Sequence, residues 1–287
     1  MNSNRLDSPR KRFRTLGWLA LLSALLAVPV SADEVEDWAK SIVRARSLHK
    51  ALPAHSHQSR MATEGMAYDV QKLVVKEQSK GARVIGHKAG LTSAATQGRF
   101  GLLEPAAGVL LSTHQLNSGA YVGLRRYPGM VIEMELGFVF KITMRERPET
   151  VDEVKAAVRE IVPVVELPDV YFEPRDKLSG LDIIASNVAA TKVIIGRGKP
   201  AVGRDPNAIA TQLFRGTALV TEGVGSDAMG DQWQALLWLV QQRIDTGYEI
   251  KRNDLLITGA LGEVIPAEAG AYKVEFGDLG TLRFSMR

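Results

Sequence analysis

Between residues 34 and 49 the apolar positions Val35, Trp38, Ile42 and Ala45 recur three to four apart, the spacing that lines one face of an α-helix. Asp33 stands before them as an N-cap candidate, and Leu52-Pro53 ends the pattern. Met66, Val70, Leu73 and Val74 repeat it over residues 63–80, with Gly81 as a stop signal. A longer helix is predicted over 232–246, closed by Gly247, and a shorter one over 151–159, opening at Thr150. From residue 83 onward the texture changes. Short β-rich runs at 83–87, 108–111, 130–142, 161–167, 191–196, 218–221, 254–258, 271–276 and 281–284 are punctuated by glycine and proline. Strands in irregular order with few helices predict an α+β fold rather than a regular βαβ sheet. Residues 33–82 read as a small N-terminal helical subdomain and 83–287 as the body.

The first 32 residues have a different pattern. Basic Arg10-Lys11-Arg12-Phe13-Arg14 precedes an apolar run over 16–28, followed by Pro29-Val30-Ser31-Ala32 and the acidic pair Asp33-Glu34. This order predicts a secretory signal peptide cleaved near Ala32, and hence an exported, periplasmic or secreted protein. The apolar run falls short of the roughly 20 residues that span a bilayer as a helix, so no membrane association is expected after cleavage. An uncleaved anchor is the alternative.

Charge sharpens that division. The chain of 287 residues carries a formal +4, and five basic residues against the single acid Asp7 in the first 32 account for all of it. An electrically balanced body has no footprint for phosphate backbones, so a nucleic-acid partner is not expected. Cysteine is absent, which excludes disulfides, thiolate zinc sites and a cysteine nucleophile.

The most unusual stretch is Val131-Ile132-Glu133-Met134-Glu135-Leu136-Gly137. Carboxylates two apart on a strand point to the same face, here beside Val131, Gly137 and Val139. Burying such a pair demands a compensating cation or proton; otherwise this is an edge strand with a solvated acidic face. Glu166 ends another apolar run, Ile161-Val162-Pro163-Val164-Val165, where a solvated acid is less expected. Three carboxylates on two strands can form an all-oxygen site suited to Mg²⁺ or Mn²⁺. Lys88, between glycines in Gly86-His87-Lys88-Ala89-Gly90, can approach a bound anion or lie on a surface turn. His87 alternates in direction with it, so only one of the two is expected to face the site. His55-Ser56-His57 reads as a polar loop rather than a metal site.

These segments together resemble the 2-keto-4-pentenoate hydratase branch of the fumarylacetoacetate hydrolase superfamily. The resemblance runs from about Glu64 to the C-terminus. It is carried by Gly-x-Lys-x-Gly-Leu-Thr at 86–92, Ile-Glu-x-Glu at 132–135, Pro-x-x-Glu at 163–166 trailed by Asp169, Asp182-Ile183-Ile184-Ala185-Ser186-Asn187, and Thr-Gly-Ala-Leu-Gly at 258–262. It implies rolled mixed β-sheets with flanking helices, a homo-oligomer, and a divalent metal, Mg²⁺ or Mn²⁺, on Glu133, Glu135 and Glu166. It also implies a 2-oxo acid substrate bound through that ion, Lys88 as charge partner or proton shuttle, and substrate contacts from Thr258, Gly259, Asp182 and Asn187. The activity implied is hydration of a short 2-hydroxydienoic acid. Related alternatives are decarboxylation of the 4-oxalocrotonate type and a non-catalytic periplasmic protein that binds a metal or keto acid. Leu103, Ala106 and Ser186 stand where relatives place acids, and Val170-Tyr171 stand where relatives continue Ser-Arg. The metal triad and lysine persist while the outer pocket differs, which points to an altered substrate or reaction.

Overall fold

Among the described residues, two large sheets, a two-stranded sheet and six helices carry the fold. The computed structural model describes Met1, residues 32–59 and residues 62–287. The expected signal peptide, residues 1–32, therefore lies outside the described residues except for Met1 and Ala32. Among the described residues no helix is long and apolar enough to cross a membrane. Residues Ser31–Arg287 form one compact unit.

The helices are α1 (Ala32–Ser47), α2 (Glu64–Gln78), α3 (Ala94–Phe100), α4 (Val151–Ala157), α5 (Gly180–Ala185) and α6 (Gln232–Asp245). The strands, in chain order, are β1 (Leu52–Pro53), β2 (Val84–Gly90), β3 (Ala106–Leu111), β4 (Gln115–Asn117), β5 (Ala120–Val122), β6 (Val131–Phe140), β7 (Val158–Leu167) and β8 (Phe172–Glu173). Then come β9 (Lys192–Ile195), β10 (Lys199–Pro200), β11 (Ala210–Arg215), β12 (Ala218–Val224), β13 (Leu255–Ile257), β14 (Leu261–Pro266), β15 (Gly270–Glu275) and β16 (Thr281–Met286). The α+β class expected from the sequence holds.

Local chemistry explains the helix boundaries. Thr63 caps α2 by accepting from the Met66 amide, and Thr150 caps α4 by accepting from Glu153. Gly81 and Gly247 follow α2 and α6 at φ of +80° and +87°, a left-handed geometry that a Cβ disfavours. Helix α1 departs from expectation. It opens at Ala32, so Asp33 lies inside the first turn beside Glu34 and complements the N-terminal dipole instead of serving as the cap.

The larger sheet runs β3-β2-β13-β6-β7-β9-β4, with β14 also on β6 and β10 on β7. The smaller runs β12-β11-β15-β16-β5. One face of β6 presents Ile132, Met134, Leu136 and Phe138 to a core shared with Leu236, Leu239 and Val240 of α6 and with Leu213, Val274 and Leu282 of the smaller sheet. The opposite face carries the acids of β6. Helices α1 and α2 are tied into the body as well as to each other. Gln71 of α2 donates to the Ala107 and Ile184 carbonyls, Arg46 of α1 donates to the Ser186 carbonyl, and β1 pairs with β8.

Candidate active site

Register alone brings the four expected residues to one face. In the antiparallel β6–β7 ladder Glu133 lies opposite Glu166, and Glu135 lies opposite Val164. On the other side of β6, Gly137 faces Ile257 of β13, which in turn aligns with Lys88 of β2. Side chains alternate along strands, so Lys88, Glu133, Glu135 and Glu166 all project to the face that His87, Phe138 and Val165 avoid. The strand bearing the two acids has partners on both sides. The reading of an edge strand with a solvated acidic face is therefore overturned: Glu135 and Glu166 are both fully buried, and Glu135 lies opposite the buried Val164.

The carboxylates converge tightly. One oxygen from each of Glu133, Glu135 and Glu166 can be chosen so that all lie within 4.8 Å of one another. Lys88 Nζ stands 2.5 Å from Glu166 Oε2 as an ion pair and donates to the Val188 carbonyl at 3.2 Å. Gly259 N–H donates to Glu135 Oε2 at 2.7 Å. Among the described residues, Glu135 Oε1 and Glu166 Oε1 accept no hydrogen bond although each is sealed from solvent, and Glu166 Oε2 has only Lys88 Nζ as its partner. Repulsion between two unit charges at this spacing is on the order of 3–4 kcal/mol per pair at an effective dielectric of about 20. One ammonium against three carboxylates leaves a net double negative charge, which only protons or a dication can neutralise. Without an ion, protons do so. Burial pushes the Glu133 carboxyl up to about 7, with Glu166 adding to the shift and Lys88 opposing it. Burial, then Glu166 and Glu133, hold Glu135 well above the ordinary carboxylate range. Burial opposes the charge on Lys88, but the three carboxylates outweigh it and raise the ammonium above its usual value. The donor set, all hard oxygen with unbonded lone pairs and a surplus of negative charge, fits a divalent cation such as Mg²⁺ or Mn²⁺.

A stability prediction follows with a definite sign. A carboxyl whose pKa is raised by folding binds protons in the native state that the unfolded chain has released. The stability it supplies is full below about 4.5 and is lost as pH rises through about 7. Protein stripped with EDTA is expected to lose several degrees in Tm between pH 5 and 8, and Mg²⁺ is expected to abolish that slope. Thermal unfolding across pH, with and without the ion, checks both statements.

Lys88 and Glu133 line a cavity of about 520 Å³, whose apolar wall includes Leu91, Phe100, Val131, Val170, Leu178 and Ile183. Lys88 reaches it because two glycines clear its path. A Cβ at Gly90 would lie 2.6 Å from a Val188 methyl, and one at Gly108 would lie 3.1 Å from Lys88 Cγ. His87 points the other way, edge-on to Tyr248 at 5.4 Å, and burial beside Arg243 and Lys251 depresses its pKa.

The four residues expected to contact substrate have other occupations, and none of them lines the cavity. Asp182 accepts from the His55 and Ser56 amides, the Ser56 hydroxyl, and the amide and hydroxyl of Ser179. It is a capping-box residue that staples the 55–56 loop to α5. Asn187 clamps both the amide and the carbonyl of Val109. Thr258 donates to Gln232 Oε1 at 2.6 Å. Gly259 acts on Glu135, and its φ of +111° with Thr92 2.5 Å from a virtual Cβ leaves no room for a larger residue. Of the departures, Leu103 is exposed and Ala106 is buried at the start of β3, both outside the cavity lining. Ser186 is buried and donates to the Ile183 carbonyl. Sequence reading missed Arg99 and Arg175, which line the cavity from α3 and from the turn after β8. No local pattern marks them, because both segments reach the cavity through tertiary packing.

No family model matches the chain. It is 26% identical over 226 residues to 2-keto-4-pentenoate hydratase 1 of Dechloromonas aromatica (strain RCB), spanning 77% of this chain and 85% of that protein. It is 26% identical over 230 residues to 2-hydroxyhexa-2,4-dienoate hydratase of Comamonas testosteroni, spanning 78% and 86%. Among solved structures, 4-oxalocrotonate decarboxylase from Pseudomonas putida G7, complexed with magnesium and adipate, superposes with a TM-score of 0.85 at 23% identity, over 90% of this chain and 99% of that one. The expected resemblance and the expected fold are both borne out.

Proposed function

We propose, from the kinship with the 2-keto-4-pentenoate hydratases, that the protein is a divalent-metal-dependent hydro-lyase acting on a short 2-hydroxydienoic or 2-oxo acid. The observation that carries this reading is the Glu133–Glu135–Glu166 cluster, two of its acids fully buried, with Lys88 beside it and with Lys88 and Glu133 lining the cavity. Glu133, Glu135 and Glu166 would hold the ion. When bound, the ion supplies a Lewis acid for the carboxylate and 2-oxo oxygens of the substrate.

The chain's own residues do the rest. Gly259 N–H fixes Glu135 Oε2 and leaves Oε1 without a hydrogen-bond partner among the described residues. Lys88, held as an ammonium by its carboxylate neighbours, lines the cavity where substrate charge develops. It is placed to stabilise that charge and to return a proton to the substrate. Hydration moves the 2-hydroxyl proton to C5, which gives the 2-oxo acid with a C3–C4 double bond; water then adds across that bond, its hydroxyl to C4 and its second proton to C3. The apolar wall of Leu91, Phe100 and Ile183 accommodates the hydrocarbon tail.

A second reading, a 2-oxo acid decarboxylase of the 4-oxalocrotonate type, is favoured by one observation. Arg99 and Arg175 line the cavity without an ion-pair partner among the described residues, and either cation suits a second carboxylate. Incubating the protein and Mg²⁺ with 2-hydroxypenta-2,4-dienoate and, separately, with 4-oxalocrotonate separates the readings. Hydratase activity yields a 4-hydroxy-2-oxo acid, identified by NMR, from the first substrate. Release of CO₂ from the second, with no hydration of the first, replaces hydratase by decarboxylase. Binding without turnover of either leaves a non-catalytic keto-acid-binding protein. Export with cleavage near Ala32 and assembly into a homo-oligomer are parts of the same proposal, checked by N-terminal sequencing of the native protein and by light scattering.

A further inference from the structure

A second cavity, of about 230 Å³, lies beside the first and is walled by the same two chain segments. Asp169 and Ala190 line the second cavity, whereas Pro168, Val170 and Ala189 line the first. Its charge is one-sided: Arg46, Lys50, Arg126 and Lys192 line it against the single carboxylate of Asp169. One oxygen of that carboxylate is already engaged by the Gly129 amide at 2.8 Å.

Among the described residues, the cations have only neutral partners at hydrogen-bond distance, and Asp169 acts on Arg46 at longer range. Arg46 donates to the Ser186 carbonyl at 2.7 Å and the Ala190 carbonyl at 3.4 Å, while its Nε is sealed from solvent and unbonded. Lys192 donates to the Thr113 carbonyl at 2.8 Å. Among the described residues, Lys50 and Arg126 have no ion-pair partner. His114, 8% exposed, also lines the cavity. Its Nδ1 accepts from the Leu111 amide at 3.3 Å, which leaves the proton of the neutral ring on Nε2 as a donor with no partner among the described residues. Burial, with Arg46 and Lys192 adding to it, pulls this imidazole down to about 3, and burial pulls Arg46 down to about 10. Four cations against the single carboxylate of Asp169, which acts on Arg46, around a partly dehydrated cavity favour the entry of an anion. A guanidinium, ammonium groups and an imidazole N–H lining one cavity suit a compact oxyanion with several acceptor oxygens and more than one negative charge.

We propose that this second cavity is a binding site for a phosphate-type dianion, separate from the reaction pocket. Free phosphate and a small phosphate monoester share that chemistry. Isothermal titration of the full chain as purified, at constant ionic strength set with chloride and without added divalent ion, tests it with inorganic phosphate in one arm and glycerol 3-phosphate in the other. One site per chain is expected. Lys192→Met combined with Arg126→Gln is expected to weaken phosphate at least ten-fold, whereas Arg99→Gln combined with Arg175→Gln leaves it unchanged. The tighter of the two arms identifies the source. Arg126 is exposed, so Arg126→Gln alone serves if the double variant does not fold. Absence of saturable binding in wild type, equal affinity in the variants, or loss in the Arg99/Arg175 variant, which would put the anion in the reaction pocket, overturns the proposal.

Discussion

Lys88→Met lowers kcat by at least about 100-fold and does not weaken the binding of a divalent ion. General acid–base or charge-stabilising groups contribute about 10²–10⁴ in rate, because they act chiefly on the transition state. The ammonium is the only cation within ion-pair distance of the carboxylate cluster among the described residues. Removing it takes positive charge away from the ion's ligands, so affinity for a dication holds or rises. Methionine retains much of the lysine stem's apolar bulk in the slot left by Gly90 and Gly108. Steady-state kinetics with product identification, alongside metal titration and Tm, reads all three quantities. Wild-type turnover by the variant would remove Lys88 from the mechanism.

Glu135→Gln is expected to weaken divalent-ion affinity by at least about 100-fold, since a hard cation loses one of three anionic oxygen ligands. The side-chain volume hardly changes, and the amide oxygen can still accept from Gly259 N–H. A second readout moves in the opposite direction. Glu135 is a fully buried carboxyl held well above its ordinary range by burial and by its two acidic neighbours. Neutralising it relieves that repulsion, so the metal-free variant is expected to melt above metal-free wild type at pH 8 and to lose most of the stabilisation by Mg²⁺. A variant that was merely misfolded would show lower stability with and without the ion.

Much of this site was legible before any coordinates. The period of two along 131–139 put Glu133 and Glu135 on one face, and the same alternation separated Lys88 from His87, as the structure places them. Helix ends announced by Thr63, Gly81, Thr150 and Gly247 lie where local chemistry put them. What escaped depends on contacts between distant parts of the chain. Helices α3 and α5 span seven and six residues, too short for a period of 3.6 to register. Asp182 was read as a substrate contact because its motif suggested one, yet its partners at residues 55–56 are more than a hundred positions away. The Ser179-x-x-Asp182 spacing was the local sign of its capping role. Arg46 and His114 belong to separate segments that meet only across the second cavity, so no spacing rule joins them.

The account's central claim is that Glu133, Glu135 and Glu166 form one divalent-cation site beneath the cavity. Crystals grown with Mn²⁺ and measured for anomalous scattering test it most directly. The account predicts a single strong anomalous peak per chain within about 2.0–2.4 Å of one oxygen from each of the three glutamates. A peak at other residues, or none at millimolar Mn²⁺ with the three carboxylates still clustered around Lys88, would contradict it.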